Sequence, residues 1–297
     1  LKEPFGSTCC LVYPRAAVFS RLSLLIFGDL RYPRLGMYSD FDWNHAPLSS
    51  YAAPVGAGVV YLIVVATLPK FVPAGGFKGL KPIFIVHNFF LSAWSLLMFL
   101  GCLWEMGMRM RAENDVQWAY CEKPIDGKAQ GPLYFWSYMF YISKYYEMVD
   151  TVLALVKGSS PPHFALHVYH HALVPVIIWN WLEYRQTLQH PGLLFNTFVH
   201  VVMYAYYGLK LLGIPTPWKS WVTRLQIVQF VTSLAFLCVT LKELKGDVLG
   251  DGCAGMRCLW VNIVFNVTLL WQFVGVLFSG PRPPRQEKKN GDDKKGN

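Results

Sequence analysis

Three histidines in an apolar stretch are the residues of this chain best suited to chemistry. His167, His170 and His171 stand at positions i, i+3 and i+4, a spacing that places all three on one face of a helix. Imidazole can transfer protons, attack as a nucleophile or bind a metal near neutral pH. Six of the eight histidines fall between His163 and His200, which concentrates this chemistry in one segment. The segment is a candidate reaction centre.

Three further groups of polar residues follow helical spacings in neighbouring segments, and we call each group a polar stripe. The stripes are Lys144, Glu147, Asp150 and Thr151; then Asn196, His200, Met203, Tyr204 and Tyr207, with Tyr206 beside them; then Thr223, Gln226 and Gln229. Four successive helices that each turn a polar face inward would enclose a polar pocket.

Each stripe also has a purely structural interpretation. Thr223, Gln226 and Gln229 could form hydrogen bonds between membrane helices. The tyrosines could form an aromatic belt at a membrane interface. Lys144 and Glu147 could be a buried ion pair. A structural role accounts least well for the clustered histidines.

The composition favours a membrane protein. Hydrophobic residues make up 54% of the 297 residues and charged residues only 15%, whereas about 25% of the residues in a soluble domain are charged. A helix needs roughly 20 apolar residues to cross a bilayer, and backbone groups in lipid must be paired internally. We therefore predict an all-α membrane protein with seven spans. They lie near 51–69, 82–104, 133–155, 164–183, 192–212, 221–242 and 257–279.

Charge orients these spans. Seven spans place the two ends of the chain on opposite sides, and the basic residues after Ser279 indicate a cytosolic C-terminus. Lys294 and Lys295, the fourth and third residues from the end, resemble the dilysine retrieval signal of endoplasmic-reticulum membrane proteins. The tail is short, lacks aromatic residues and follows a membrane domain, which argues against nucleic-acid binding.

The chain divides into three parts. We expect residues 1–36 to be an N-terminal extension, with the functional protein beginning near Met37. Residues 37–279 form the membrane domain, and residues 280–297 form a basic cytosolic tail.

Two cysteines fall on the same predicted side of the membrane. The topology places Cys121, after the second span, and Cys253, before the seventh, on the lumenal side. An oxidising lumen permits a disulfide between them, with Cys258 as the competing partner.

Taken together, the histidines and the three stripes resemble, in order and spacing, the four signature motifs of the ELO family of very-long-chain fatty acid elongases. The resemblance covers residues 37–279. One departure is visible: many members carry a basic cluster after the first stripe, whereas here Lys157 is followed by Gly-Ser-Ser-Pro-Pro. The departure concerns the contacts of a cytosolic loop.

The resemblance implies a fold and an activity. Family members have seven transmembrane helices, six of which surround a tunnel for the acyl chain. They are 3-oxoacyl-CoA synthases of the endoplasmic reticulum, which condense a long-chain acyl-CoA with malonyl-CoA and release CO2 and CoA. No cofactor is implied beyond these substrates. The implied partners are membrane lipid and the other enzymes of the elongation cycle. Whether the protein forms a homodimer is left open by the resemblance.

The resemblance also implies roles for the histidines. A two-step condensation needs a group that holds the acyl chain after CoA leaves, and no cysteine lies within the polar stripes. By resemblance His170 is the nucleophile that forms an acyl-imidazole, and His167 and His171 orient it or move protons. His200 would position malonyl-CoA or stabilise the enolate.

The remaining site residues are predicted to fix tautomers or to bind substrate. Glu147, Asp150 and Asn196 are the expected tautomer partners of the histidines. Basic residues are needed near the phosphates of CoA at the cytosolic mouth. The predicted substrate-binding residues are Lys144, Lys157, Tyr204, Tyr206, Tyr207, Lys219, Gln226 and Arg282.

Two alternatives belong to other classes of protein. The His-x-x-His-His spacing also occurs in membrane di-iron desaturases and hydroxylases, where about eight histidines in several boxes bind the metals. This chain has a single such box, so we predict no metal. A seven-helix receptor or transporter would not explain histidines and carboxylates on facing helices.

Overall fold

The computed structural model describes residues 36–161, 163–244 and 252–278. Within these ranges the chain is helical, no strand forms, and Asp42 and Gln130 make an isolated bridge. Three predicted features lie outside the described residues. They are residues 1–35 of the N-terminal extension, Arg282, and the basic tail with its dilysine ending.

Nine α-helices occupy the described ranges, with short 3-10 turns between some of them. Their bounds are α1 Gly36–Ser39, α2 Ala52–Thr67, α3 Lys81–Glu113, α4 Pro132–Glu147, α5 Val149–Val156, α6 Phe164–Glu183, α7 Gln189–Leu212, α8 Lys219–Glu243 and α9 Met256–Phe278. Local sequence explains several ends. Pro132 begins α4, where a missing N–H costs nothing, and Gly213 ends α7 in the left-handed conformation.

Four helices in the described ranges are long and apolar enough to cross a membrane by length and composition. They are Ala52–Lys70, Lys81–Glu113, Lys219–Glu243 and Met256–Phe278. The other long segments, α4 with α5, α6 and α7, carry the three clustered histidines and the first two polar stripes. The chain is therefore a multi-pass membrane protein in which the polar residues are concentrated on a subset of the helices.

The predicted third span is divided in two. Helix α4 ends at Glu147 and α5 begins at Val149, so Met148 separates them. Lys144 and Glu147 therefore belong to one helix, and Asp150 and Thr151 belong to the next. A single stripe in the sequence consequently serves two helices, each with its own set of neighbours.

Six segments form a closed ring. Contacts run from α3 to α4, to α6, to α9, to α8, to α7 and back to α3. Helix α2 packs outside the ring, against α6 and α5. Helices α4, α6 and α7, which carry most of these polar residues, are members of the ring, whereas Asp150 and Thr151 lie on α5.

One end of the bundle is held together by covalent and ionic links. A disulfide joins Cys121 to Cys253, whose Cα atoms are 5.1 Å apart, while Cys258 keeps a free thiol. Beside it Arg109 donates two hydrogen bonds, of 2.6 and 2.8 Å, to the carboxylate of Glu122. We call this the disulfide end. It is the end that the topology predicts to be lumenal.

The chain before α2 also packs on the disulfide end. Trp43 is 1% exposed, and its indole N–H donates to Glu183 at 2.9 Å. Its backbone N–H donates to the carbonyl of Ala129 at 3.0 Å. The indole of Trp179 donates to the carbonyl of Ser49 at 2.7 Å. Residues 43–49 are thus fixed to α6 and to the loop before α4.

At the opposite end two loops meet backbone to backbone. The N–H of Phe77 donates to the carbonyl of Val156 at 3.0 Å. A Cβ atom on Gly158 would lie 2.7 Å from the nitrogen of Gly76, closer than side-chain carbons normally come. The glycine after Lys157 is therefore needed for this contact.

Helix α2 approaches α6 beside the histidines, and two glycines in α2 test that contact. A Cβ on Gly58 would lie 2.9 Å from the carbonyl oxygen of Ala172, whereas a Cβ on Gly56 meets nothing within 4 Å. Both replacements by Ala improve helix propensity by about 0.5–1 kcal/mol. We expect Gly56→Ala to keep or raise the melting temperature, and Gly58→Ala to lower stability by about 1–3 kcal/mol through overpacking. Equal melting temperatures of the two purified variants would contradict the close contact.

Candidate active site

A buried ion pair lies at the centre of the polar residues. The ammonium group of Lys144 donates to Glu147 Oε1 at 2.8 Å, and each side chain is 1% exposed. Lys144 also donates to the amide oxygen of Asn196 at 3.2 Å, which links α4 to α7. Ser143 donates to the same Glu147 oxygen at 3.0 Å, and His200 Nδ1 lies 3.5 Å from it. These partners offset the cost of removing two charges from water.

A second cluster surrounds Asp150. His87 Nε2 lies 2.5 Å from Asp150 Oδ1, and the hydroxyl of Tyr204 donates to Oδ2 at 2.8 Å. The other ring nitrogen of His87 lies 3.3 Å from the hydroxyl of Tyr146. Both carboxylate oxygens of Asp150 are therefore engaged, from α3 and α7.

The third cluster joins α2, α5 and the histidine box. The hydroxyl of Thr151 lies 2.7 Å from that of Tyr61 and 2.9 Å from His167 Nε2. The ring of His167 lies 4.3 Å, between centroids, from the ring of His171. Thr151 thus fixes one nitrogen of His167, as a partner that sets a tautomer would do.

His170 lies between this cluster and α9. Its ring is perpendicular to that of His171 at 5.2 Å and stacks on Phe265 at 6.0 Å. In the described part of the chain, the buried Nδ1 atoms of His170 and His171 and the Oε2 atom of Glu147 have no hydrogen-bond partner. Unpaired buried polar atoms cost free energy, so each calls for a functional role or a further partner.

The structure places the predicted tautomer partners in different clusters. Glu147 and Asn196 contact Lys144, and Glu147 also faces His200, whereas Asp150 contacts His87 and Tyr204. Within the described ranges no three His, Cys, Asp or Glu side chains are grouped so that they could hold a metal ion.

The other predicted substrate-binding residues lie away from this polar centre. Lys157 and Lys219 are exposed at helix ends, with Lys157 5.3 Å from the ring of Phe84. Tyr206 is buried against Trp218 at the end of α7 opposite the disulfide. Two more residues lie nearer to the centre but outside its three clusters. Gln226 donates to the sulfur of Met203 at 3.6 Å, and Tyr207 is 41% exposed.

Sequence analysis missed two residues of the site, His87 and Tyr61. Each is an isolated polar residue in an apolar segment, so no spacing pattern marked it. The structure identifies them by their burial, because their side chains are only 4% and 3% exposed. A histidine within an apolar span is costly unless it is paired, and that cost is the one indication that the sequence offered for His87.

Comparison with known proteins identifies the family. The profile of the ELO family, described as the GNS1/SUR4 family, matches residues 46–282. This chain belongs to the ELO family. It is 31% identical to Fatty acid elongase A of Dictyostelium discoideum over 84% of this chain and 90% of the relative.

Two further relatives carry similar names. The chain is 30% identical to Very long chain fatty acid elongase 2 of Rattus norvegicus, over 82% of this chain and 84% of the relative. It is 35% identical to Fatty acid elongase sre1 of Dictyostelium discoideum, over 67% of this chain and 74% of the relative. The resemblance inferred from the four motifs is thereby confirmed at the level of the family.

The Lys144–Glu147 pair makes a stability prediction. Removal of one partner leaves a buried charge unpaired, so we expect Glu147→Gln or Lys144→Met to lower the free energy of unfolding by about 3–5 kcal/mol. The double variant should lose less than the sum of the two single variants because no unpaired charge remains. Glu113→Gln is the control, because Glu113 pairs with Arg109 at the surface and such pairs contribute about 1 kcal/mol or less. Equal losses of stability in Glu147→Gln and Glu113→Gln, measured by thermal unfolding, would contradict the burial of the pair.

Proposed function

We propose that this ELO family member is a very-long-chain fatty acid elongase, an acyltransferase that condenses a long-chain acyl-CoA with malonyl-CoA. The products are 3-oxoacyl-CoA, CO2 and CoA. The observation that carries the proposal is the packing of the three imidazoles of α6 within a buried polar centre, where His170 keeps an unpaired nitrogen. Family membership supports the same assignment.

In the first step His170 attacks the thioester carbonyl. A nitrogen–carbon bond forms, the carbon–sulfur bond breaks, and CoA leaves as a thiolate that takes up a proton. His171 is in ring contact with His170 and with His167. It is thus placed to pass that proton along the box. The thiol of Cys102 is fully buried in the apolar core, so we do not assign it as the nucleophile.

In the second step malonyl-CoA loses CO2, and the resulting enolate carbon attacks the acyl-imidazole. A carbon–carbon bond forms, the carbon–nitrogen bond breaks, and the departing imidazole takes up a proton from the solvent, which returns His170 to its free form. His200 supports this step because it lies 3.5 Å from Glu147 and its ring is perpendicular to that of Tyr204 at 5.4 Å. An imidazole held in this way can stabilise the enolate oxygen. The reaction involves no net oxidation or reduction, so it needs no redox cofactor.

The ring of six segments supports a tunnel for the acyl chain. We assign seven transmembrane spans, counting α4 and α5 together, with α2 outside the ring. The acyl chain would extend from His170 towards the disulfide end, where Phe140, Trp181 and Leu182 belong to the buried apolar core. The proposed position of CoA is the opposite end.

The exposed lysines at that opposite end are the proposed phosphate contacts. Lys157 and Lys219 are exposed, and Arg282 would join them from outside the described residues. Tyr206 and Tyr207 lie on the same end of α7. Lys144 is engaged by Glu147 and Asn196, so we assign it to the polar centre and not to a phosphate.

The setting of the reaction is part of the proposal. We propose that the reaction takes place in the endoplasmic-reticulum membrane, with the basic residues after Ser279 on the cytosolic side. The 3-oxo group of the product must be reduced and dehydrated before another round of elongation, so we propose reductases and a dehydratase as functional partners.

The nucleophile is tested with acyl-CoA alone. Wild-type protein should release one equivalent of CoA and gain the mass of one acyl group, because His170 can accept the chain without malonyl-CoA. His170→Ala should abolish both signals, measured by thiol titration and intact-protein mass spectrometry. His45→Ala is the control, since the His45 side chain is exposed and its ring lies 3.1 Å from Asp42, away from the three clusters. Retained acylation in His170→Ala would defeat the assignment.

The reaction class is tested with malonyl-CoA and a panel of acyl-CoA chain lengths. We expect products that are two carbons longer with a 3-oxo group, and the panel identifies the preferred chain. A desaturated or hydroxylated product of unchanged length, together with stoichiometric iron in active protein, would instead support the di-iron alternative.

A further inference from the structure

We propose that His87 is a positioning residue for the condensation step. It fixes the carboxylate of Asp150, which in turn fixes Tyr204 beside His200. The inference rests on the proposed function, because it assigns His87 to the second half of that reaction.

The geometry joins three helices through one carboxylate. His87 on α3 lies 2.5 Å from one oxygen of Asp150, and Tyr204 on α7 donates to the other oxygen at 2.8 Å. His87 is 4% exposed and Tyr204 is 3% exposed. Asp150 itself lies on the short helix α5. Each end of this bridge is therefore shielded from water, which makes its hydrogen bonds costly to lose.

The bridge controls the orientation of Tyr204. The tyrosine hydroxyl donates a hydrogen bond to Asp150, so the ring is held at that end while it lies perpendicular to the ring of His200, at 5.4 Å between centroids. When His87 no longer engages Oδ1, the carboxylate is free to rotate, and Tyr204 loses a fixed acceptor. The ring that packs against His200 then loses its anchor.

The acylation step depends on different contacts. His170 packs against His171 and Phe265, and His167 is held by the hydroxyl of Thr151. None of these contacts uses the side chain of His87 or Tyr204. A change at His87 should therefore slow condensation more than acylation.

Two substitutions separate the hydrogen bond from the bulk of the ring. The amide nitrogen of glutamine can occupy the place of His87 Nε2, which faces Asp150, whereas that of asparagine reaches only the place of Nδ1, which faces Tyr146. We expect His87→Asn to lower the condensation rate about 10-fold or more while acylation by acyl-CoA alone stays within about 2-fold. We expect His87→Gln to restore condensation to within about 3-fold of wild type.

Tyr146→Phe is the matched control for the other ring nitrogen. It removes the 3.3 Å contact of His87 Nδ1 and keeps the contact of Nε2 with Asp150, so it should slow condensation less than His87→Asn does. Equal impairment by His87→Gln and His87→Asn, or equal loss of acylation and condensation, would overturn the proposal. Failure of the proposed function is a separate result, because wild type itself would then show neither acylation nor product.

A stability measurement tests the bridge without any assay of activity. In a double-mutant cycle of His87→Asn and Tyr204→Phe, the two changes should couple, because both act on the carboxylate of Asp150. The double variant should therefore have a melting temperature above that expected from the sum of the single changes. Strict additivity would show that His87 does not act on Tyr204 through Asp150.

Discussion

The pairing of Lys144 with Glu147 is the constraint on which the site depends. Two charges that are each 1% exposed in an apolar bundle must stay together, at 2.8 Å, and each is stabilised by further polar contacts. Lys144 reaches Asn196, and Glu147 reaches Ser143 and faces His200. The requirement to keep the pair satisfied therefore fixes α4 against α7, the helix that carries the second stripe.

The hydroxyl groups extend this constraint to the rest of the site. Thr151 holds His167 from α6 and Tyr61 from α2, while Tyr204 holds Asp150. Helix α2 lies outside the ring, yet it contributes a hydroxyl to the cluster that fixes the histidine box. Pro175 adds a local effect, because it provides no N–H for the carbonyl of His171 four residues earlier in α6. Helix α6 is thus held by side chains where its own backbone bonding is interrupted.

Periodic residues could be predicted from the sequence, and isolated ones could not. The histidines of α6 and the stripe of α7 are repeated at helical intervals, so their shared faces follow from geometry alone. His87 and Tyr61 have no such repeat, and their partners are 63 and 90 residues away. The division at Met148 and the order of helices in the ring likewise depend on contacts between distant segments. Counting spans placed Cys121 and Cys253 on one side, but only the folded loops distinguish Cys253 from Cys258 as the partner.

The division at Met148 has a consequence for a reaction that proceeds in two steps. Glu147 ends α4 and faces His200, whereas Asp150 lies on α5 and holds Tyr204. Both contacts converge on α7, from two helices that are anchored separately: α4 in the ring, and α5 against α2. The histidine box instead meets α5 through the hydroxyl of Thr151. A residue can therefore influence the groups around His200 without a direct contact to the nucleophile, and this separation allows the two proposed steps to be affected independently.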